Sequence, residues 1–168
     1  MDDDLVRRMV EASELRGEFV LSSGRTSSVY FDKFRFLTRP DLLRDVASAV
    51  ARLLAPGTQL LGAPEGAAML LVAAVSLATD LPVAVVRKQA KEYGTRAQVE
   101  GEVPAGAVTT LLEDVSTTGH QVRRAAEALA GAGADVRRIV LAIDRGGADQ
   151  LRGAGYEVEA VATLRPTD

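Results

Sequence analysis

Hydrophobic positions along the chain set up first a helix, then a hairpin, then a regular alternation of strands and helices. Leu5, Val6, Met9, Val10 and Leu15 make a stripe at helical spacing, which predicts an amphipathic helix over 3–15. Two apolar runs, 19–21 and 28–31, flank Ser22-Ser23-Gly24-Arg25-Thr26, a turn-forming composition, and predict a β-hairpin. Pro40 opens a predicted helix over 40–54 and Pro56-Gly57 closes it. Beyond it, strands are expected over 59–62, 82–86, 108–112, 136–143 and 157–162, and helices over 66–79, 119–130 and 148–153. These strands are almost continuously apolar, the pattern of strands covered on both faces. The expected fold is α/β, a mostly parallel central sheet flanked by helices, with the hairpin as a small N-terminal hood. A single domain is expected over 1–168, with helix and hood in 1–38 and the core in 39–168. Residues 87–107 break the rhythm, being aperiodic and rich in Gly and charge. A loop of that length inside a compact domain is usually functional.

Composition narrows the chemistry. With 47% hydrophobic and 26% charged residues, the chain has enough apolar surface to fold, which excludes disorder as its main state. It has no cysteine, so disulfides, thiolate metal sites and cysteine nucleophiles are excluded. One histidine excludes a His-rich metal centre. A net charge of −3 argues against non-specific nucleic-acid binding. The longest uncharged stretch, 66–79, has 14 residues, against the roughly 20 of a membrane-spanning helix. The acidic start, Met1-Asp2-Asp3-Asp4, is the opposite of a secretory signal, so a cytoplasmic protein without membrane or nucleic-acid partners is expected. Of 20 basic residues only Lys33, Lys88 and Lys91 are lysines, which draws attention to the last two, close together in the aperiodic segment.

The strongest local signal is Thr109-Thr110-Leu111-Leu112-Glu113-Asp114-Val115-Ser116-Thr117-Thr118-Gly119-His120-Gln121. An apolar strand ends in two adjacent carboxylates, hydroxyl residues and a glycine follow, and a helix begins. Open α/β sheets bind ligands beyond the carboxyl ends of their strands. A helix start offers free N–H groups and a favourable dipole to a phosphate. The two acids suit the neutral diol of a sugar, which needs acceptors. Taken alone, a Thr-Thr-Gly would be no more than a capped helix start. The ordered set of strand, acid pair, hydroxyls, glycine and helix favours a phosphate-and-sugar site.

These 13 residues resemble the 5-phosphoribosyl 1-diphosphate (PRPP) binding motif of the type I phosphoribosyltransferases. Three further blocks resemble the orotate phosphoribosyltransferase branch, in order and spacing. They are Gly17 to Asp32, similar to its hairpin; Arg87-Lys88-Gln89-Ala90-Lys91-Glu92-Tyr93-Gly94-Thr95, similar to its catalytic loop; and Ile143-Asp144-Arg145 with Ala154-Gly155-Tyr156, similar to its C-terminal block. The similarity covers about residues 17–164.

The resemblance implies a type I phosphoribosyltransferase fold and transfer of the phosphoribosyl group from PRPP to orotate, giving orotidine 5′-monophosphate and diphosphate with Mg²⁺. It implies Lys91 and Asp114 as catalytic residues. Arg87, Lys88 and Lys91 would meet the diphosphate, Glu113 and Asp114 the ribose hydroxyls, and Ser116, Thr117, Thr118, Gly119, His120 and Gln121 the 5′-phosphate, with Tyr93 and Val115 also among the PRPP-binding residues. Thr117, Arg145, Tyr30 and Phe31 would hold orotate, Arg145 through its planar fork on the carboxylate. Mg²⁺ would be held mainly by diphosphate and ribose oxygens, with no dedicated protein ligands. A homodimer with shared active sites is implied, the loop 88–101 crossing to the partner. Physically, the loop cations would neutralise charge developing on the leaving diphosphate. Ser22 stands where many members carry Lys, Tyr93 where His is frequent, and Gly62-Ala63-Pro64-Glu65-Gly66-Ala67 where paired glycines are usual. Two alternatives stay open: a related PRPP-dependent transferase for another base, and a non-catalytic PRPP or nucleotide sensor.

Overall fold

The computed structural model describes residues 2–20, 24, 26–89 and 98–164. Helix α1 (Asp3–Ser13) is capped by the Asp2 carboxylate, which accepts from Leu5 N at 3.2 Å. It stops two residues before the predicted end, because Leu15 belongs to β1 (Glu14–Val20). That strand pairs antiparallel with β2 (Thr26–Phe31), forming a two-stranded sheet separate from the main one. This is the predicted hairpin, with a longer first arm. A short helix, α2 (Phe34–Leu37), precedes α3 (Pro40–Ala51), which has Pro at its first turn.

The main sheet contains β3 (Leu60–Pro64), β4 (Val83–Val86), β5 (Val99–Glu100), β6 (Val108–Ser116), β7 (Asp135–Asp144) and β8 (Glu157–Thr163). Their spatial order is β5-β4-β3-β6-β7-β8. All neighbouring pairs are parallel except β4 with β5. The helices between them are α4 (Ala68–Thr79), α5 (His120–Gly131) and α6 (Gly147–Gly153). The expected α/β architecture, with a mostly parallel sheet covered by helices, is what the chain adopts. β5 lies inside the segment expected to be loop.

Alternation along the strands separates two cores. Leu112 and Val140 face a core with Leu5, Met9, Phe36, Val46, Leu71 and Val75, from α1 to α4. Leu111, Ile139 and Leu141 face the other, with Val122, Leu129 and Leu151 of α5 and α6. Burial of both faces explains why these strands read as continuous apolar runs. The chain runs outward from β3 to β4 in one direction and from β6 to β7 in the other. The carboxyl ends of β3 and β6 therefore flank the point where the strand order reverses, the crevice in which open α/β sheets bind ligands.

Candidate active site

β6 extends to Ser116, so Glu113 and Asp114 lie within the strand rather than after it. Both are buried, Asp114 completely. Asp114 Oδ1 accepts from Val115 N at 2.5 Å, and Glu113 Oε1 accepts from Asp114 N at 3.1 Å. Lys33, at the junction of β2 and α2, donates from Nζ to Asp114 Oδ1 at 3.1 Å and stands 3.1 Å from Oδ2. Burial, with the neighbouring charge of Asp114, pushes the Glu113 carboxyl up to about 8, against the opposing pull of Lys33. Burial thus biases Glu113 towards its protonated form in the free protein.

The loop after β6 is open where a ligand needs it. Thr117 and Thr118 are exposed, while Ser116 is buried with a hydroxyl that lacks a hydrogen-bond partner. Gly119 sits at the N-cap of α5 with φ +75°, and no side chain caps that helix. The carboxylates and hydroxyls therefore do not serve as its caps, and its first-turn N–H groups remain available to an anion. A Cβ on Gly119 would lie 2.9 Å from the Gly147 carbonyl oxygen, and one on Gly147 would lie 2.0 Å from Ser116 Oγ. Close approach of the β6–α5 and β7–α6 loops thus requires glycine on both sides.

The β7–α6 turn positions Arg145. Asp144, buried at the end of β7, accepts from Gly146 N at 2.9 Å and Ala148 N at 3.0 Å, and Arg145 N donates to Ser116 O at 2.8 Å. The Arg145 guanidinium is then carried over the Phe31 ring, 5.3 Å from its centroid. Tyr30 is half-exposed beside Phe31, its ring 5.5 Å from that of Phe19. Hood and core meet at this contact and at Lys33–Asp114.

At the β3 side, Glu65 N donates to Val86 O at 2.8 Å, and the Glu65 carboxylate accepts from Lys88 N at 2.8 Å. The carboxylate in this loop thus braces the neighbouring cationic turn. Arg87 lies 3.9 Å from Glu100 through Nη1, and its buried Nε has no hydrogen bond. A cavity of about 400 Å³ opens here, walled by Pro64, Arg87, Lys88 and Gln98 and by His120 and Gln121 of α5. Arg124 also lines it. Arg124 sits one helical turn after His120 and so shares its face, a spacing that marks it in the sequence once His120 is placed at the site. Nothing local in the sequence marks Lys33. Glu113 and Asp114 are not among the cavity walls. Lys91 and Tyr93 lie outside the described residues, as does Ser22.

Among the described residues, no cluster of three His, Asp or Glu could hold a metal ion. Asp114 Oδ2, buried and without a hydrogen bond, is nevertheless a hard oxygen of the type Mg²⁺ takes. No helix among the described residues is long and apolar enough to cross a membrane.

No family model matches the chain. Comparison with curated proteins is decisive: an orotate phosphoribosyltransferase of a Nocardioides species is 43% identical over 170 residues, covering 100% of this chain and 95% of that protein. The chain belongs to the orotate phosphoribosyltransferase family. Solved structures agree. The Mycobacterium tuberculosis orotate phosphoribosyltransferase in complex with Fe(III) dicitrate superposes with a TM-score of 0.86 at 26% identity, covering 96% of this chain and 95% of that one. The same enzyme in complex with PRPP gives a TM-score of 0.81 at 25% identity, over 96% of this chain and 94% of that one. Sequence and fold alike thus place the chain in the orotate phosphoribosyltransferase family.

Proposed function

We infer that the chain transfers the 5-phosphoribosyl group from PRPP to orotate, yielding orotidine 5′-monophosphate and diphosphate, a step of pyrimidine biosynthesis. The observation that carries this reading is the buried Glu113–Asp114 pair on the central strand, followed at once by the uncapped start of α5 at the sheet's reversal point. A complex of the M. tuberculosis relative with PRPP supports the choice of donor.

In this reading Glu113 and Asp114 hold the ribose hydroxyls, and the backbone and hydroxyls of Ser116 to Gln121 hold the 5′-phosphate. Arg87, Lys88 and Lys91 serve the diphosphate, and Tyr93 and Val115 complete the PRPP-binding set. Orotate lies beside Arg145, Thr117, Tyr30 and Phe31, its carboxylate meeting the free N–H edge of the Arg145 guanidinium. Orotate N1 attacks C1 as the C1–O bond to diphosphate breaks, its N–H proton is passed to the departing diphosphate, and the anomeric configuration inverts. Protein cations stabilise the charge that grows on the departing oxygen. When bound, Mg²⁺ would supply further charge neutralisation at the diphosphate, held mainly by diphosphate and ribose oxygens, with Asp114 as the protein oxygen that could join them.

We also infer a homodimer with shared active sites. Helix α4 carries no charged residue, and Met69, Leu70 and Leu77 are exposed on it. A helix apolar on all sides is normally covered on all sides, and a second copy of the chain supplies the cover. The cytoplasm is the compartment for this chemistry, since a substrate as charged as PRPP does not cross a bilayer unaided.

The test is spectrophotometric: purified protein, PRPP and Mg²⁺ should consume orotate and release diphosphate. Consumption of another base in place of orotate would move the chain to a different transferase activity, and binding of PRPP without turnover of any base would make it a sensor.

A further inference from the structure

This inference rests on the transferase reading above and extends it to a residue with no role so far. Lys33 is built into place from both sides. Asp32 N donates to Ser13 O at 2.9 Å, Arg35 N donates to Asp32 O at 3.2 Å, and the Asp32 carboxylate accepts from Phe34 N at 3.0 Å. This turn fixes the backbone that delivers the ammonium to the rim of the acid pair. There Nζ stands 3.1 Å from each carboxylate oxygen of Asp114, a residue with no exposed surface. Oδ1 is shared with Val115 N, whereas Oδ2 has no hydrogen bond of its own.

An ammonium and a sugar diol compete for such a carboxylate. When PRPP hydroxyls reach Asp114, Lys33 must give up at least part of its contact. Its next partner follows from stereochemistry. In PRPP the 1-diphosphate and the 2-hydroxyl sit on adjacent carbons and on the same ring face. A cation beside the carboxylate that accepts from that hydroxyl is therefore beside the first phosphate. The Lys33 side chain is 39% exposed, so it has room to turn from one anion to the other.

We propose that Lys33 is a diphosphate ligand of bound PRPP, parked on Asp114 while the site is empty. Parking limits what the buried Asp114 charge costs in the free protein, and transfer brings a cation to the leaving group from the hood side.

The test compares three ligands on wild type, Lys33→Met and Lys33→Arg by calorimetry in excess Mg²⁺: PRPP, inorganic diphosphate and ribose 5-phosphate. Ribose 5-phosphate keeps the diol and the 5-phosphate but lacks the diphosphate. In Lys33→Met, PRPP and diphosphate should bind on the order of 10- to 100-fold more weakly, the effect of losing a charged hydrogen bond. Ribose 5-phosphate should stay within about twofold of wild type, or tighten because no ammonium has to be displaced. Lys33→Arg should recover most of the loss. Any reduction in folded fraction weakens all ligands by the same factor, so the ratio between ligands remains informative. Equal weakening of PRPP and ribose 5-phosphate would show that Lys33 serves Asp114 alone and overturn the proposal, as would no change with any ligand. The transferase reading fails separately, if wild type binds PRPP but consumes no orotate; the ligand ratios then still decide the case of Lys33. A wild type that binds none of the three overturns both.

Discussion

The guanidinium of Arg145 lies over the ring of Phe31, 5.3 Å from its centroid, and so joins the β7–α6 turn to the hood hairpin. A planar cation stacked in this way keeps its N–H edge free to meet a carboxylate. Arg145→Ala should raise KM for orotate by roughly 10- to 100-fold, the range of a lost charged hydrogen bond, and leave PRPP affinity nearly unchanged. Arg145→Lys should not restore it, because an ammonium neither stacks nor offers two parallel donors. Steady-state kinetics with each substrate varied in turn would show this, and an equal loss for PRPP would remove Arg145 from the base site.

Glu113 gives the protein a specific pH dependence. Burial and Asp114 raise its folded-state pKa from the ordinary 4.5 to about 8. The folded protein therefore holds this proton more tightly than the unfolded chain does. The associated stability is fully present below about 4.5 and is lost as pH rises through about 8. Glu113→Gln, a neutral mimic of the protonated acid, should remove that slope. Melting temperatures of the two proteins across this range, without substrates, should diverge steadily, with wild type losing ground as pH rises. Parallel curves would mean that Glu113 is ionised throughout.

Much of this site was legible as sequence because its parts are contiguous. Glu113 to Gln121 forms one strand end and one helix start, so their spacing alone carries the chemistry. What was missed depends on pairs far apart in the chain. Lys33 and Asp114 are separated by 81 positions, and nothing in the local pattern of either names the other. Helix α2, four residues, and strand β5, two residues, are too short to show any period. The end of β6 was underestimated for a different reason. Three of its last four residues are polar, and the buried carboxylates are held inside the strand by backbone N–H groups and by Lys33, a partner far away in sequence. Arg145, Tyr30 and Phe31 were named together through family resemblance, and the contact of Arg145 with Phe31 gives that grouping a physical basis.

Gly119 tests the phosphate loop. With φ +75° and the Gly147 carbonyl oxygen 2.9 Å from any added Cβ, Gly119→Ala is strained both by conformation and by contact with backbone. The start of α5 must then shift, and its first N–H groups lose their aim. PRPP binding should fall by tenfold or more, about 1.4 kcal/mol, while far-ultraviolet circular dichroism stays close to wild type. Retained affinity would place the 5′-phosphate elsewhere.

Exposed Leu77, at 90% the most open large apolar side chain described, reads out the role of α4. In a monomer, Leu77→Asp should be close to neutral, within about 0.5 kcal/mol. If α4 faces a second copy, the same change buries a carboxylate in an apolar contact and should shift the protein towards monomer in analytical ultracentrifugation. An unchanged dimer would move the interface off this helix.

Sharing of active sites makes a prediction that no single variant can deliver. Lys91→Ala removes the loop cation, and Asp114→Asn replaces the sugar acceptor by a group that offers a donor in its place. Each homodimer should be strongly impaired, by about a hundredfold or more where charge on the leaving group goes unstabilised. When the two are mixed and allowed to exchange, a mixed dimer with crossed loops has one site carrying both defects and one carrying neither. Random pairing of equal amounts makes half the dimers mixed, each with one intact site, so activity should return to about a quarter of the wild-type value. If each loop serves its own subunit, every site in a mixed dimer carries one defect and no activity returns. Native mass spectrometry of the mixture confirms that exchange has occurred, so a silent result with mixed dimers present counts against the crossed arrangement and assigns Lys91 to the site of its own chain.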